Sequence, residues 1–195
     1  MGLVHGATGP PLRGPAEPRS LRPGGVGDLG ATLHAHHANV DDLHERAGSI
    51  DVIHLHGSIA RYRCFDCGHP YELQPEEKTA PEPPNCPDCG DFIRPDVVWF
   101  GEDLPGEWLA RARELAMEAQ VLLVVGTSGT VFPAADIPYW AKSCGATVID
   151  VNLEVTPISR IADIFLRGPS GEVLPSLMEA MELFAPHASD YDEEH

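Results

Sequence analysis

Two C-x-x-C pairs predict a metal site in this sequence. Eighteen residues separate the pairs, a spacing at which two short turns can bring four thiolates into a tetrahedron around one zinc ion. A glycine follows each pair, Gly68 and Gly90, and permits the tight turn. Two unrelated buried or disulfide-bonded pairs are the alternative. A site of four thiolates has no open coordination position, so the predicted ion is structural. The predicted ligands are Cys64, Cys67, Cys86 and Cys89.

A histidine at the end of a predicted strand is a candidate general base. His56 lies near the end of the apolar segment 51–57, where Gly57 stops the strand at a crevice or at solvent. A neutral imidazole can accept a proton near physiological pH. By position alone a structural histidine is the default interpretation, and His44 and His54 have the same weak claim to catalysis. The histidines at 34, 36 and 37 lack the regular spacing of a dedicated metal site.

A glycine-rich turn after an apolar strand predicts a nucleotide crevice. The run 121–126 is typical of a parallel strand covered on both faces, and residues 126–129 turn toward a helix. Such a turn presents backbone N–H and hydroxyl groups at the carboxyl edge of the sheet. A plain left-handed turn is the alternative. Asn152 and Glu154 end the next strand at the same edge, which favours the crevice.

The segments that must position these residues alternate between strands and helices. Strands are predicted at 51–57, 97–102, 121–126, 147–152 and 164–166, and helices over 105–120, from 133 and over 171–184. This alternation predicts an α/β fold with a Rossmann-like parallel sheet and a small zinc-binding subdomain. The residues 97–100 form either a core strand or an edge that pairs with an extended peptide. Cys144 is predicted to be buried in the helix before Gly145.

The predicted domain boundaries follow composition. Residues 1–30 contain eight glycines and five prolines with almost no apolar periodicity, which predicts a disordered or loosely attached leader. The Rossmann-like domain is predicted over 31–60 and 96–185, the zinc-binding subdomain over 61–95, and a solvated acidic tail over 186–195.

Composition and charge exclude several classes of function. The chain has 195 residues, 43% of them hydrophobic, which is enough for one compact domain. Its 13 Lys and Arg against 30 Asp and Glu give a net charge of -17, which argues against nucleic acid as a partner. No apolar run is long enough to cross a bilayer, and the first thirty residues lack a secretory apolar segment. Thiols in C-x-x-C pairs are typical of a reducing compartment, so we expect a cytoplasmic protein without a membrane partner.

Several motifs occur together in the order seen in sirtuins. They are His56-Gly57-Ser58, the two C-x-x-C pairs, Arg94-Pro95-Asp96-Val97-Val98-Trp99-Phe100-Gly101-Glu102, Gly126-Thr127-Ser128-x-x-Val131-x-Pro133-Ala134-Ala135 and Asn152-Leu153-Glu154. From about residue 39 to residue 181 the chain resembles an NAD-dependent protein-lysine deacylase. The form Val-Val-Trp-Phe-Gly-Glu is most similar to the bacterial and mitochondrial class that includes desuccinylases.

The resemblance implies that a lysine acyl group passes to ADP-ribose and that nicotinamide leaves NAD, with His56 as general base on a ribose hydroxyl. It implies NAD and one structural zinc ion as cofactors, and acyl-lysine proteins or peptides as substrates. The residues implied for NAD are Asn39, Asp41, Gly126, Thr127, Ser128, Asn152, Leu153, Glu154 and Ser170. Those implied for the substrate peptide are Val98, Phe100, Gly101 and Glu102.

Departures from the sirtuin pattern bear on both fold and function. Nothing in residues 1–38 resembles the glycine-rich turn that cradles the NAD pyrophosphate in sirtuins, so we expect a sheet that is incomplete at its N-terminal end, with an unpaired edge. In the desuccinylase class the Tyr and Arg that contact an acidic acyl group belong to the same N-terminal portion of the domain as that turn. The resemblance therefore implies no acyl preference. His37 and Ala38 stand where the family has Thr and Gln. The alternative to an active deacylase is a catalytically inactive, zinc-bearing remnant that binds peptides.

Overall fold

A computed structural model describes residues 2–5 and 33–184 of the chain. These residues form a six-stranded sheet and a three-stranded sheet. The strands are β1 (Gly2–His5), β2 (His34–His37), β3 (Ile53–His54), β4 (Gly57–Cys64), β5 (Pro70–Tyr71), β6 (Ile93–Val97), β7 (Val121–Val125), β8 (Thr147–Asn152) and β9 (Ile164–Arg167). The α-helices are α1 (Leu43–Arg46), α2 (Gly106–Glu118), α3 (Ile137–Ser143) and α4 (Ser170–Phe184), and 3-10 turns lie at Glu77–Thr79, Ala134–Asp136 and Ile158–Arg160.

The larger sheet is parallel and carries a hydrophobic core on each face. Its order is β3-β2-β1-β7-β8-β9, and each neighbouring pair is parallel. Leu122 and Val124 of β7 pack with buried residues of α2 and α3, whereas Leu123 and Val125 pack with Leu174 of α4. A strand covered on both faces has to be apolar at successive positions, which explains the run 121–125. The predicted Rossmann-like α/β fold is confirmed.

The first strand differs from the sequence-based expectation. β1 lies between β2 and β7 and pairs with both in parallel register. The expected unpaired edge is therefore wrong at this position, and Gly2–His5 belongs to the sheet rather than to a loose leader. Strand pairing uses backbone N–H and C=O groups, which a short extended segment offers whatever the composition of its neighbours. Residues 6–32 and the predicted acidic tail 186–195 lie outside the described part of the chain.

The smaller sheet is antiparallel and begins directly after His56. Its order is β5-β4-β6. The predicted domain boundaries at 60/61 and 95/96 fall inside β4 and β6, which pair with each other from Gly57 opposite Val97 to Cys64 opposite Ile93. Gly57 has φ +78, and a Cβ there would lie 2.0 Å from the carbonyl oxygen of Asp96. Only glycine allows the two strands this approach.

Two local expectations differ from the structure. β6 ends at Val97, and residues 98–102 form a turn that contains Gly101 at φ +92, rather than a strand reaching Glu102. Cys144 is exposed rather than buried, because it caps α3 at its C-terminal end, beyond Ala141, the last buried residue of that helix. The predicted helix 105–120 is confirmed as α2. None of the helices in the described residues is long and apolar enough to span a membrane.

Candidate active site

A cavity of about 540 Å³ opens at the carboxyl edge of the parallel sheet. Parallel strands end at the same edge, so the segments that follow β2, β3, β7 and β8 meet there although they are distant in sequence. The lining residues that were predicted to bind NAD or to act as the base are Asn39, His56, Gly126, Thr127, Ser128, Asn152, Leu153 and Glu154.

Other predicted residues lie outside this lining. Asp41 is in the adjoining loop, where its Oδ1 accepts the backbone N–H of Leu43 at 3.1 Å. Ser170 begins α4, after β9. The four residues predicted for the peptide lie in the segment 98–102, beside the cavity rather than in its wall.

The cavity also contains residues that were not predicted individually as site residues. They are Ala38, Gly129, Val131, Ala134, Ala135, Pro138, Thr156 and Ile158. Gly129, Val131, Ala134 and Ala135 belong to the motif that begins at Gly126, and that membership is the signal that could have found them. Thr156 and Ile158 arrive from the chain beyond β8, and neither periodicity nor a motif marks them.

The half-buried imidazole of His56 has a defined orientation. Its Nδ1 lies 2.8 Å from the carbonyl oxygen of Ala38. A carbonyl oxygen only accepts hydrogen bonds, so Nδ1 carries the proton in the neutral ring and Nε2 carries the free lone pair. The carbonyl oxygen of His56 in turn accepts the backbone N–H of Val98 at 3.0 Å. This arrangement leaves one ring nitrogen able to accept a proton.

The turn after β7 and the end of β8 are hydrogen-bonded to each other. Asn152 donates its Nδ2 to the carbonyl oxygen of Thr127 at 2.8 Å. Gly129 has φ +64, and a Cβ there would lie 2.7 Å from the side chain of Ile158. The hydroxyls of Ser128 and Thr127 and the Asn152 amide are groups that bind nucleotide hydroxyls and phosphates. The Glu154 carboxylate can accept hydrogen bonds from ribose hydroxyls. The donor set and the close approach at the glycines therefore fit a nucleotide.

A cluster of buried histidines supports the loop between β2 and α1. The ring of His37 meets those of His44 and His54 edge-on, with centroid distances of 4.8 and 5.4 Å. His37 Nε2 lies 3.3 Å from Asp41 Oδ1, and His54 Nε2 contacts the carboxylate of Glu45. Burial lowers the pKa of His44 to about 4, so this ring is neutral at physiological pH. These contacts fix the loop whose first residues enter the cavity.

The four paired cysteines converge as the spacing predicted. Cys64 Sγ lies 3.3 Å from Cys89 Sγ, Cys67 Sγ lies 3.6 Å from Cys86 Sγ, and all four sulfurs lie within 4.8 Å of one another. All are free thiols, which excludes the disulfide alternative in this structure. Four sulfurs about 2.3 Å from a zinc ion would stand about 3.8 Å apart, so ligand type and spacing both fit zinc.

The segment after β6 carries exposed aromatic side chains beside His56. The exposed fraction is 49% for Trp99 and 103% for Phe100. Both follow Val98, whose N–H is bonded to His56. Of the two interpretations of residues 97–100, the structure therefore places Val97 in a strand and Trp99 and Phe100 at solvent. Exposed aromatics next to a cavity offer a surface to an extended ligand.

Comparisons with known proteins agree on one protein family. The model of the Sir2 family matches residues 28–133. The NAD-dependent protein deacylase of Pyrococcus furiosus is 52% identical over 145 residues, which are 72% of this chain and 58% of that protein. The protein of the same name from Mycobacterium tuberculosis is 51% identical over 147 residues, which are 73% of this chain and 62% of that protein. The chain thus spans less than two thirds of the length of these relatives.

Solved structures show the same fold. A Sir2 homolog in complex with NAD has a TM-score of 0.79 at 41% identity, over 87% of this chain and 66% of that one. Sir2Tm bound to a propionylated peptide has a TM-score of 0.77 at 32% identity, over 86% of this chain and 71% of that one.

Proposed function

This chain belongs to the Sir2 family, and we propose that it is an NAD-dependent protein-lysine deacylase. The observation that carries the proposal is the oriented imidazole of His56 in a cavity whose other walls offer hydroxyl, amide and carboxylate groups. The relatives named NAD-dependent protein deacylase and the neighbours solved with NAD or an acyl peptide support it.

His56 is the proposed general base. Its Nδ1–H is held by the carbonyl oxygen of Ala38, so Nε2 takes a proton from a ribose hydroxyl in the cavity. The resulting imidazolium keeps its hydrogen bond to a carbonyl oxygen, an acceptor that stabilises the added charge. NAD, when bound, would supply the ribose carbon that accepts the acyl oxygen as nicotinamide leaves; with uptake of one water the acyl group would end on ADP-ribose and the lysine amine would be released.

The proposed NAD contacts divide between two walls of the cavity. Asn39 lies on the His56 side, where the loop braced by Asp41 would surround the nicotinamide. The segments after β7 and β8 would contact the ribose and adenine, and Ser170 lies at the same edge of the sheet after β9. The residues proposed for that second wall are Gly126, Thr127, Ser128, Asn152, Leu153, Glu154 and Ser170.

The peptide and the zinc ion occupy the other side of His56 in this proposal. Val98, Phe100 and Gly101 would contact the acyl-lysine peptide, because this segment leaves β6 beside His56 and is open to solvent. Glu102 closes the same turn. One zinc ion on the four cysteines would hold the antiparallel module together when bound. Five free cysteines also support a reducing, cytoplasmic location for the protein.

The experiment is mass-spectrometric detection of nicotinamide and acyl-ADP-ribose from the zinc-quantified chain with NAD and acetyl- or succinyl-lysine peptides. We expect turnover in the wild type and in His69→Ala, a half-exposed histidine outside the cavity, and none in His56→Ala. The acyl group consumed defines the substrate class. Absence of turnover with about one zinc per chain would overturn the proposal in favour of a peptide-binding remnant, and turnover in His56→Ala would overturn the role of the base.

A further inference from the structure

Arg94 is a buried cation that ties β6 to the turn after it. Its side chain is 6% exposed. Nη1 donates to Glu102 Oε1 at 2.6 Å and Nη2 donates to Glu102 Oε2 at 3.0 Å, which is the two-point geometry of a guanidinium and a carboxylate. Nη2 also donates to the carbonyl oxygen of Val97 at 2.6 Å. One side chain thus holds both ends of the segment 97–102.

Glu102 closes the turn from its other end. Its Oε2 accepts the backbone N–H of Trp99 at 2.9 Å, and its own N–H donates to the carbonyl oxygen of Trp99 at 3.0 Å. The hydrogen bonds from Arg94 and from Trp99 lower the pKa of Glu102 to about 2. The carboxylate is therefore charged at neutral pH and joins Arg94 to the backbone of the turn.

Two aromatic rings lie against the same guanidinium. Its central carbon lies 3.6 Å from the ring centroid of Trp99 and 5.3 Å from that of Phe65, and the two rings are 6.0 Å apart. Both distances to the guanidinium are within the range of a cation–π contact. Phe65 stands between Cys64 and Cys67, inside the first pair of predicted zinc ligands.

Phe65 has little else to hold it in place. Its side chain is 52% exposed, so burial alone does not fix the ring. Its N–H donates to the carbonyl oxygen of Phe92 at 2.9 Å, which joins the two cysteine turns. The position of the ring therefore depends on the turn that the cysteines form. Because Arg94 contacts both rings, it links the position of Phe65 to that of Trp99.

We propose that Arg94 is a positioning residue for the segment 98–102, and that Phe65 makes the position of this segment depend on the metal at the four cysteines. The consequence for substrates rests on the proposed function, in which this segment contacts the acyl-lysine peptide. Loss of the metal or of the Phe65 ring should loosen the segment and weaken peptide binding. The NAD side of the cavity, which is built on β7 and β8, should be unaffected.

The first test needs no ligand and no activity. Amide hydrogen exchange of the residues 98–102 is measured on the zinc-loaded full chain for the wild type, Phe65→Ala and Phe92→Ala. Phe92 is the matched control because it is 54% exposed on the same module and has no ring contact with Arg94 among the described residues. We expect exchange about two- to fivefold faster in Phe65→Ala and unchanged in Phe92→Ala, with equal zinc content. Chelation of the metal should accelerate the same amides in the wild type.

Either of two results would overturn the coupling. Exchange in Phe65→Ala could equal that of the wild type, or Phe92→Ala could show the same acceleration. In the first case the ring does not act on the segment, and in the second the effect is a general loosening of the module.

The second test separates the two ligands. Calorimetry gives the dissociation constants of an acetyl-lysine peptide and of ADP-ribose for the wild type, Arg94→Lys, Arg94→Met and Phe65→Ala. We expect the dissociation constant of the peptide to rise about tenfold or more in Arg94→Met and about two- to fivefold in Phe65→Ala. In Arg94→Lys it should rise less than in Arg94→Met, because lysine keeps the charge but loses the two-point geometry. ADP-ribose binding should change less than about twofold in every variant. Equal weakening of both ligands would overturn the positioning role.

The design distinguishes failure of this inference from failure of the proposed function. A wild type that binds neither ligand refutes the proposed function, whereas the exchange measurement still decides whether Phe65 and the metal control the segment. Phe65→Ala changes only a half-exposed ring, so it keeps the test decisive if Arg94→Met does not fold.

Discussion

Acid should destabilise this protein in part through a buried histidine of the parallel sheet, His36. His36 lies in β2, in register with Val4 of β1 and Ile53 of β3, and is fully buried. Neither of its ring nitrogens has a hydrogen-bond partner among the described residues. Burial, reinforced by the nearby His34, lowers the pKa of His36 from its ordinary value of 6.5 to about 4. Between pH 6.5 and pH 4 the ring is therefore mostly neutral in the folded protein and mostly charged in the unfolded chain.

The sign and size of the effect follow from proton linkage. Between pH 6.5 and pH 4 the unfolded state binds more protons at this site, so the free energy of unfolding falls as the pH falls. One unit of pKa difference corresponds to about 1.4 kcal/mol. Lowering the pH from about 7.5 to about 5.5 protonates His36 in most of the unfolded molecules and in almost none of the folded ones. The expected loss from His36 alone is about 1.3 kcal/mol, or about 4 °C in Tm for a chain of this size.

Urea unfolding at several pH values tests this reasoning with His36→Val, which places a non-titrating, β-branched residue in the strand. The wild type should lose about 1.3 kcal/mol more than His36→Val between pH 7.5 and 5.5. His69→Val, at a half-exposed histidine outside the parallel sheet, is the control for the loss of any histidine. Weaker zinc binding in acid affects all three proteins and cancels in the comparison. Equal losses in the wild type and in His36→Val would refute the assignment of the effect to this ring.

Three further predictions concern the backbone, the metal and the cavity. Gly57→Ala should lower the free energy of unfolding by at least about 3 kcal/mol in chemical denaturation, because a Cβ there would lie 2.0 Å from the backbone. Gly145→Ala, also at positive φ but in open space, should lower it by only about 1 to 2 kcal/mol. Equal losses in the two variants would contradict the close approach at Gly57. Cys67→Ser should lower the zinc content measured by atomic absorption, and Cys144→Ser should leave it unchanged, so loss in both would argue against a four-cysteine site. Asn152→Ala removes the hydrogen bond to the carbonyl oxygen of Thr127 and should raise KM for NAD about tenfold without changing KM for the peptide. Steady-state kinetics measures both constants, and an equal rise in both would contradict the assignment of Asn152 to the NAD side.

Local patterns in the sequence determined much of this protein. The two C-x-x-C pairs predicted a four-sulfur site because ligand spacing within a pair and the glycine after it are properties of a few adjacent residues. The apolar run of β7 and the helix that follows Pro105 were predictable for the same reason, since burial on both faces or on one helical face has a short sequence period. The strand-end rule for parallel sheets then brought His56, Thr127 and Asn152 to one edge.

Tertiary structure decided the features that depend on contacts between distant residues. Gly2–His5 became a central strand because its neighbours β2 and β7 offered backbone partners, which no side-chain pattern records. Ile158 entered the cavity through the path of the chain beyond β8. The contact of Arg94 with Phe65 joins residues 29 positions apart, so it exists only because β4 and β6 pair side by side. Sequence period reports burial and turns, whereas the partner across a sheet or a cavity is chosen by the fold.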